Sequence, residues 1–380
     1  MQPIHLDYAA STPTRPEVMA AFLDASARCG GNPGAGHAGG RSSRTVLEEA
    51  RELISAALGR SPHEVVFTSG GTEADQLAVL GTFRAAAEHG RRHIVVSGVE
   101  HPAVSDAVAW LAAHEGARVT TVPPEGVAPV AVHAVLDAIG EDTAVVAVTA
   151  ADSELGVRQH AGLAAAVVER GVPVHSDAVQ AVVCGEVPPV GSLALSGHKL
   201  GAPVGIGIAV LPRDVPVRPM VDGPGQERGL RSGTQPAALA WAMAVALEMT
   251  VSERPAHAAR CATHTSALAT ALMDVAGMRP TVPVDAAFRL ASHLHLSVDG
   301  VDPEALATAL DACGVHTSAG TACATGTTAA SPVLLACGVG ADATLRLTVG
   351  RGTTSAEIVT AADRIRTVVT QLRASGGGFL

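Results

Sequence analysis

Between about residues 45 and 250, short apolar runs of strand length alternate with longer segments of helical length. Runs at Val65–Thr68, His93–Ser97, Val119–Val122, Ala144–Thr149, Val172–Ser176, Leu193–Ser196 and Gly207–Leu211 predict seven strands. Between several of them lie Glu73–Glu88, Ala103–His114, Val130–Ile139 and Leu163–Arg170, each long enough for a helix. Parallel strands need a crossover, and a helix is the usual one, so this alternation predicts βαβ units, a mostly parallel sheet and the α/β class. Gln235 to about Thr263 predicts a long alanine-rich helix. Residues 264–380 read as helix, strand, helix, loop, strand, helix, a smaller α+β unit.

Composition narrows what such a fold can serve. At 380 residues, 47% hydrophobic and only 16% charged, the chain has a large core to bury, and wholesale disorder is excluded. A net charge of -10 without a basic run argues against nucleic acid or an anionic membrane as partner. The longest apolar run, Ala237–Leu247, is too short to span a bilayer, which takes about 20 residues. The N-terminal residues have neither a basic nor a hydrophobic signal region. Six scattered cysteines without a CxxC fit a reducing cytoplasm better than a disulfide framework or a zinc site, so no metal ligands are expected.

Of 26 basic residues only one, Lys199, is a lysine. Arginine replaces lysine at most surface charges. It does not replace a lysine whose amine must lose its proton and form a Schiff base.

Lys199 stands in Ser196-Gly-His198-Lys199, just past an apolar strand, and Asp177 stands just past another, in Asp177-Ala-Val-Gln180. Ligands of open α/β sheets bind at the carboxyl ends of strands. A Schiff-base lysine and an acid for a pyridinium nitrogen are two parts that pyridoxal phosphate needs. A third, a phosphate cradle, is offered by Ser69-Gly-Gly71-Thr72-Glu, where a strand ends and a helix begins. Taken singly, each has a plain alternative: a capped helix start with Thr72 as cap, or an exposed turn carboxylate at Asp177. His101, in Glu100-His101-Pro, can stack on a planar cofactor and shuttle protons. Thr317–Ser331 holds neither a charged nor a bulky residue and carries one thiol, Cys323, which is expected to be accessible. Cys313 and Cys337 read as core. In the strand pattern of Ala343–Gly350, Arg346 falls on the face opposite Leu345 and Leu347, free to fork onto a carboxylate.

The order SGGTE, EH, ELG, DxxQ, SGHK, ERGxRSGT, AGTAC and RLTVGR resembles the cysteine desulfurases of the NifS/IscS-like type, within the class V aminotransferases, from Leu6 to about Ile365. The resemblance implies a fold-type I pyridoxal-phosphate transferase: a large, mostly parallel seven-stranded sheet domain (15–249) plus a smaller α+β domain (1–14 and 250–380) carrying the cysteine loop. It implies that Lys199 holds the cofactor and moves protons, Asp177 pairs the pyridinium nitrogen, Gln180 bonds the ring hydroxyl and His101 stacks on the ring. Gly71, Thr72, Ser196 and His198 would hold the phosphate, and Thr234 would reach that of a neighbouring subunit in a homodimer. Arg346 would take the carboxylate of L-cysteine, with Asn32 nearby. Cys323 would take the sulfur as a persulfide for an acceptor protein, leaving alanine.

Three departures stand out. In Asp152-Ser153-Glu-Leu-Gly156, Ser153 occupies the place of an Asn that contacts cofactor and substrate in the family. Gly223-Pro-Gly-Gln226 replaces a Gly-Gly-Gly-His, and the sequence ends at Leu380 without the longer scaffold-docking tail. These leave the acceptor and pathway open. A lyase for selenocysteine or another sulfur amino acid, and a silent interaction protein that kept the fold, are the competing readings.

Overall fold

The computed structural model describes residues 2–319, 331–340 and 343–376. In chain order the elements begin with β1 (Ile4–His5), α1 (Pro16–Arg28), α2 (Ala38–Leu58), β2 (Val65–Thr68), α3 (Gly71–Ala87), β3 (His93–Ser97) and α4 (Pro102–His114). They continue with β4 (Arg118–Val122), α5 (Val132–Ala138), β5 (Thr143–Ala147), α6 (Leu163–Glu169), β6 (Val174–Asp177), α7 (Ala181–Cys184), β7 (Ser192–Ser196), α8 (Gly197–Leu200) and β8 (Gly207–Val210). Then follow α9 (Ala237–Met273), β9 (Met278–Pro280), β10 (His293–Val298), α10 (Pro303–Ala312), β11 (Val315–His316), β12 (Ser318–Ala319), α11 (Pro332–Ala336), β13 (Ala343–Thr348) and α12 (Ser355–Ala374).

Among the described residues the main sheet has the strand order β2-β8-β7-β6-β5-β3-β4. Only β8 runs against its neighbours, β2 and β7; the other pairings are parallel. Each of the seven expected strands forms. Except for β4 at the edge, these strands are buried along their length, which is why their residues read as continuous apolar runs instead of alternating ones. β6 and β7 are adjacent and parallel, with Asp177 opposite Ala194, so their carboxyl ends open at the same edge.

The C-terminal part holds an antiparallel sheet, β12-β13-β10-β9, and the N-terminal residues pack with this part: β1 and β11 form a separate two-stranded parallel sheet, and Asp7 bridges to Thr348 of β13. Its core gathers Ile4, Leu6, Leu294, Leu296, Leu345, Leu347 and Ile365. Helix α9 runs ten residues past the expected end at Thr263 because its second half, from Cys261 to Leu272, packs into this core. Its first half, Ala240 to Leu247, packs into the core under the main sheet. Pro255 lies between the halves. Among the described residues no helix is long and apolar enough to cross a membrane.

Candidate active site

Asp177 ends β6 and is buried. Its Oδ1 accepts from the Val179 amide at 2.9 Å, and burial pushes its pKa up while His101 and Lys199 pull it down. The turn carboxylate is therefore not solvent-exposed. Lys199 lies on the short helix α8 that follows β7. Its Nζ donates to the carbonyls of Ala9 at 2.5 Å and Ala10 at 2.7 Å. Gln180 is buried beside it and donates from Nε2 to the same Ala9 carbonyl at 3.0 Å. Carbonyls of the N-terminal segment thus hold both side chains.

His101 caps α4: its Nδ1 accepts from the Ala103 amide at 3.0 Å, so the ring proton of the neutral form sits on Nε2. Desolvation by the surrounding protein lowers its pKa, and Lys199 adds to this while Asp177 opposes it. His198 meets the Ser11 hydroxyl at 3.2 Å, and burial lowers its pKa as well.

Gly70, not Thr72, is the N-cap of α3, and among the described residues no side chain caps the helix; Thr72 is exposed. The start of α3 is pressed against the strand ends. A Cβ on Gly71 would lie 3.2 Å from the Ser196 Cβ, and one on Gly207 would lie 2.4–2.6 Å from the Gly70 backbone. Ser196 is buried. Uncapped first-turn amides beside Ser196 are suited to an anion. The residues therefore fit pyridoxal phosphate: a buried acid for the ring nitrogen, a lysine at the neighbouring strand end, and an open helix start for the phosphate.

Arg346 departs from expectation. Both faces of β13 are buried, and the arginine is not free. Its Nη2 bonds Asp7 Oδ1 at 2.8 Å and Ser318 Oγ at 2.6 Å, and its Nη1 bonds the Ser153 carbonyl at 3.0 Å. Its Nε is buried without a partner among the described residues. Ser153 thus reaches Arg346 through its backbone. Its neighbour Asp152 is turned into its own loop, accepting from the amides of Glu154, Leu155, Gly156 and Val157. Asn32 is exposed and accepts from the Gly34 amide at 2.8 Å. Thr234 is also exposed, and Arg231 ties its loop to Glu73 of α3 at 2.8 Å. Cys323 lies outside the described residues. Cys337 is buried, as expected, while Cys313 is only half-buried.

Sequence reading missed the buried acids behind the site. Glu100 accepts from the Ser97 hydroxyl and from the Thr149 amide at 2.7 Å, and burial raises its pKa to about 7. Asp75 meets Nε2 of His175 at 3.0 Å. Burial pushes Asp75 up and His175 down to about 3. The available signal was a titratable residue on an otherwise apolar helix, Asp75, and strand, His175; Glu100 lies in the turn between β3 and α4.

The family model for class-V aminotransferases matches residues 4–360. An IscS-like cysteine desulfurase of Mycobacterium tuberculosis is 39% identical, over 97% of both chains. A solved NifS-like protein is 28% identical with a TM-score of 0.89, covering 98% of this chain and 100% of that one. A structure described as SspA in complex with cysteine is 26% identical with a TM-score of 0.79, covering 91% of this chain and 99% of the other.

Proposed function

Because the chain belongs to the cysteine desulfurases of the class-V aminotransferase family, we propose that it uses pyridoxal 5'-phosphate to convert L-cysteine to L-alanine, with the sulfur passing to Cys323 as a persulfide. The observation that carries this reading is the meeting of Asp177 and Lys199 at adjacent strand ends, beside Gln180 and the open start of α3.

When bound, the cofactor supplies an electron sink that acidifies the substrate's α-carbon. Asp177 would hold the ring nitrogen protonated, Gln180 would bond the ring hydroxyl and His101 would stack on the ring. Gly71, Thr72, Ser196 and His198 would take the phosphate, with Thr234 serving the other subunit of a homodimer. Lys199 Nζ, now held on the Ala9 and Ala10 carbonyls, would bind the cofactor and move protons. Arg346 would receive the substrate carboxylate near Ser153 and Asn32.

In the net reaction the C–S bond of cysteine breaks and its electron pair stays on the β-carbon. The sulfur joins Cys323 Sγ, and the proton lost from that thiol balances the one gained by the β-carbon. The enzyme would then hand its sulfur to an acceptor protein in the cytoplasm.

Borohydride reduction followed by peptide mass spectrometry tests the cofactor claim. An adduct on Lys199 is expected; an adduct elsewhere, or none, overturns it. Cys323→Ser tests the nucleophile. The variant should still change the cofactor spectrum when cysteine is added but release no sulfide. Release at the wild-type rate would mean that another thiol does the work.

A further inference from the structure

Cys184, at the end of α7, meets His257 and Cys261 of α9, and the ligand atoms of the three all lie within 4.8 Å of one another. His257 and Cys261 are four residues apart and so share one helix face. The Cys261 sulfur is 3.5 Å from His257 Nε2. In a tetrahedral zinc site, with bonds of about 2.0–2.3 Å, neighbouring ligand atoms lie roughly 3.3–3.8 Å apart. The three donors therefore need only small side-chain adjustments to close on an ion. His257 and Cys261 are buried and Cys184 is half-buried. His257 and Ser292 also line a cavity of about 370 Å³ that reaches Lys199 and Gln180. An ion held by the three would keep its fourth position toward that cavity.

We propose that Cys184, His257 and Cys261 form a site for a thiophilic divalent cation of the Zn²⁺ class, with water as the fourth ligand from the cavity side. Two thiolates and an imidazole suit zinc, whereas magnesium, calcium and manganese prefer oxygen donors. None of the three belongs to the residues proposed for the desulfuration, so the site stands or falls independently of that reading. Its cation would tie α7, which begins directly after Gln180, to the half of α9 that packs with the C-terminal sheet.

The test uses reduced holoenzyme, stripped of metal by a chelator and titrated with Zn²⁺ against a chromogenic chelator. About one equivalent per chain should bind. Cys323→Ser should bind equally well, and Cys184→Ser and Cys261→Ser should each bind at least 100-fold more weakly. Retention of full affinity in both of the last two variants overturns the proposal, as does the absence of stoichiometric binding to the wild type. Because substitutions at buried thiols can disturb folding, zinc-edge X-ray absorption on the loaded Cys323→Ser protein gives a second readout. Two sulfur neighbours are expected, and a shell of nitrogen and oxygen alone overturns the assignment.

Discussion

Arg346 and Asp7 form an ion pair, Nη2 to Oδ1 at 2.8 Å, across 339 positions of sequence. The guanidinium proposed to receive the substrate carboxylate already holds one carboxylate, a hydroxyl and a carbonyl. These contacts fix its plane, and a substrate must add to them or displace one. Lysine keeps the charge but lacks the fork. Hydrogen bonds to charged groups are worth about 1.5–3 kcal/mol, so Arg346→Lys should raise KM for cysteine about tenfold or more and leave kcat less affected. Steady-state alanine formation checks this, and an unchanged KM would remove Arg346 from substrate binding.

Glu100 makes stability depend on pH. Its native pKa of about 7 exceeds the ordinary 4.5, so between these values the native state keeps a proton that the unfolded chain has lost. Its contribution is complete below pH 4.5 and disappears as pH rises through 7, with a difference on the order of 3 kcal/mol. Glu100→Gln, which retains an acceptor for Ser97 and Thr149, should flatten that part of the profile. Urea unfolding at pH 5 and pH 8 measures the change. A profile as steep as the wild type's would exonerate Glu100.

Gly207 leaves no space for a side chain, since a Cβ there would meet the Gly70 backbone at 2.4–2.6 Å. Gly207→Ala should cost about 1–3 kcal/mol of stability, the usual range for overpacking, and should also weaken pyridoxal phosphate binding. Thermal melting and cofactor titration report the two effects separately. Normal cofactor affinity in the variant would place the phosphate away from the start of α3.

Asp152 is committed to four backbone amides, so it does not stand in for the Asn whose place Ser153 takes. One recovered neutral hydrogen bond is worth about 1 kcal/mol, so Ser153→Asn should speed alanine formation about fivefold. A loss of rate would show a site rebuilt around serine.

The strands and the long helix were legible because burial on both sheet faces leaves apolar runs, and Lys199 and Asp177 because they follow such runs. Periodicity placed Arg346 on the correct face of its strand. It carried no information on what covers that face, which is Asp7 from the other end of the chain. Glu100 and Asp75 were overlooked because their depth depends on the helices laid over the sheet. The absence of close cysteine spacing hid the grouping of Cys184 with His257 and Cys261, since packing between α7 and α9 creates it. Cys323 stands out through the uncharged, small-residue composition around it and through the AGTAC motif.

At a rise of 1.5 Å per residue, the 37 residues of α9 make a rod about 55 Å long, rooted in one core at each end. Neither core can melt while the other stays whole without stripping half of this rod of its packing. Heating should therefore give one transition, with probes in the two cores reporting the same midpoint. Pro255, at the waist of the rod, interrupts the ladder of backbone hydrogen bonds where the two cores hand over. Amides just beyond it are where hydrogen exchange should first betray partial opening.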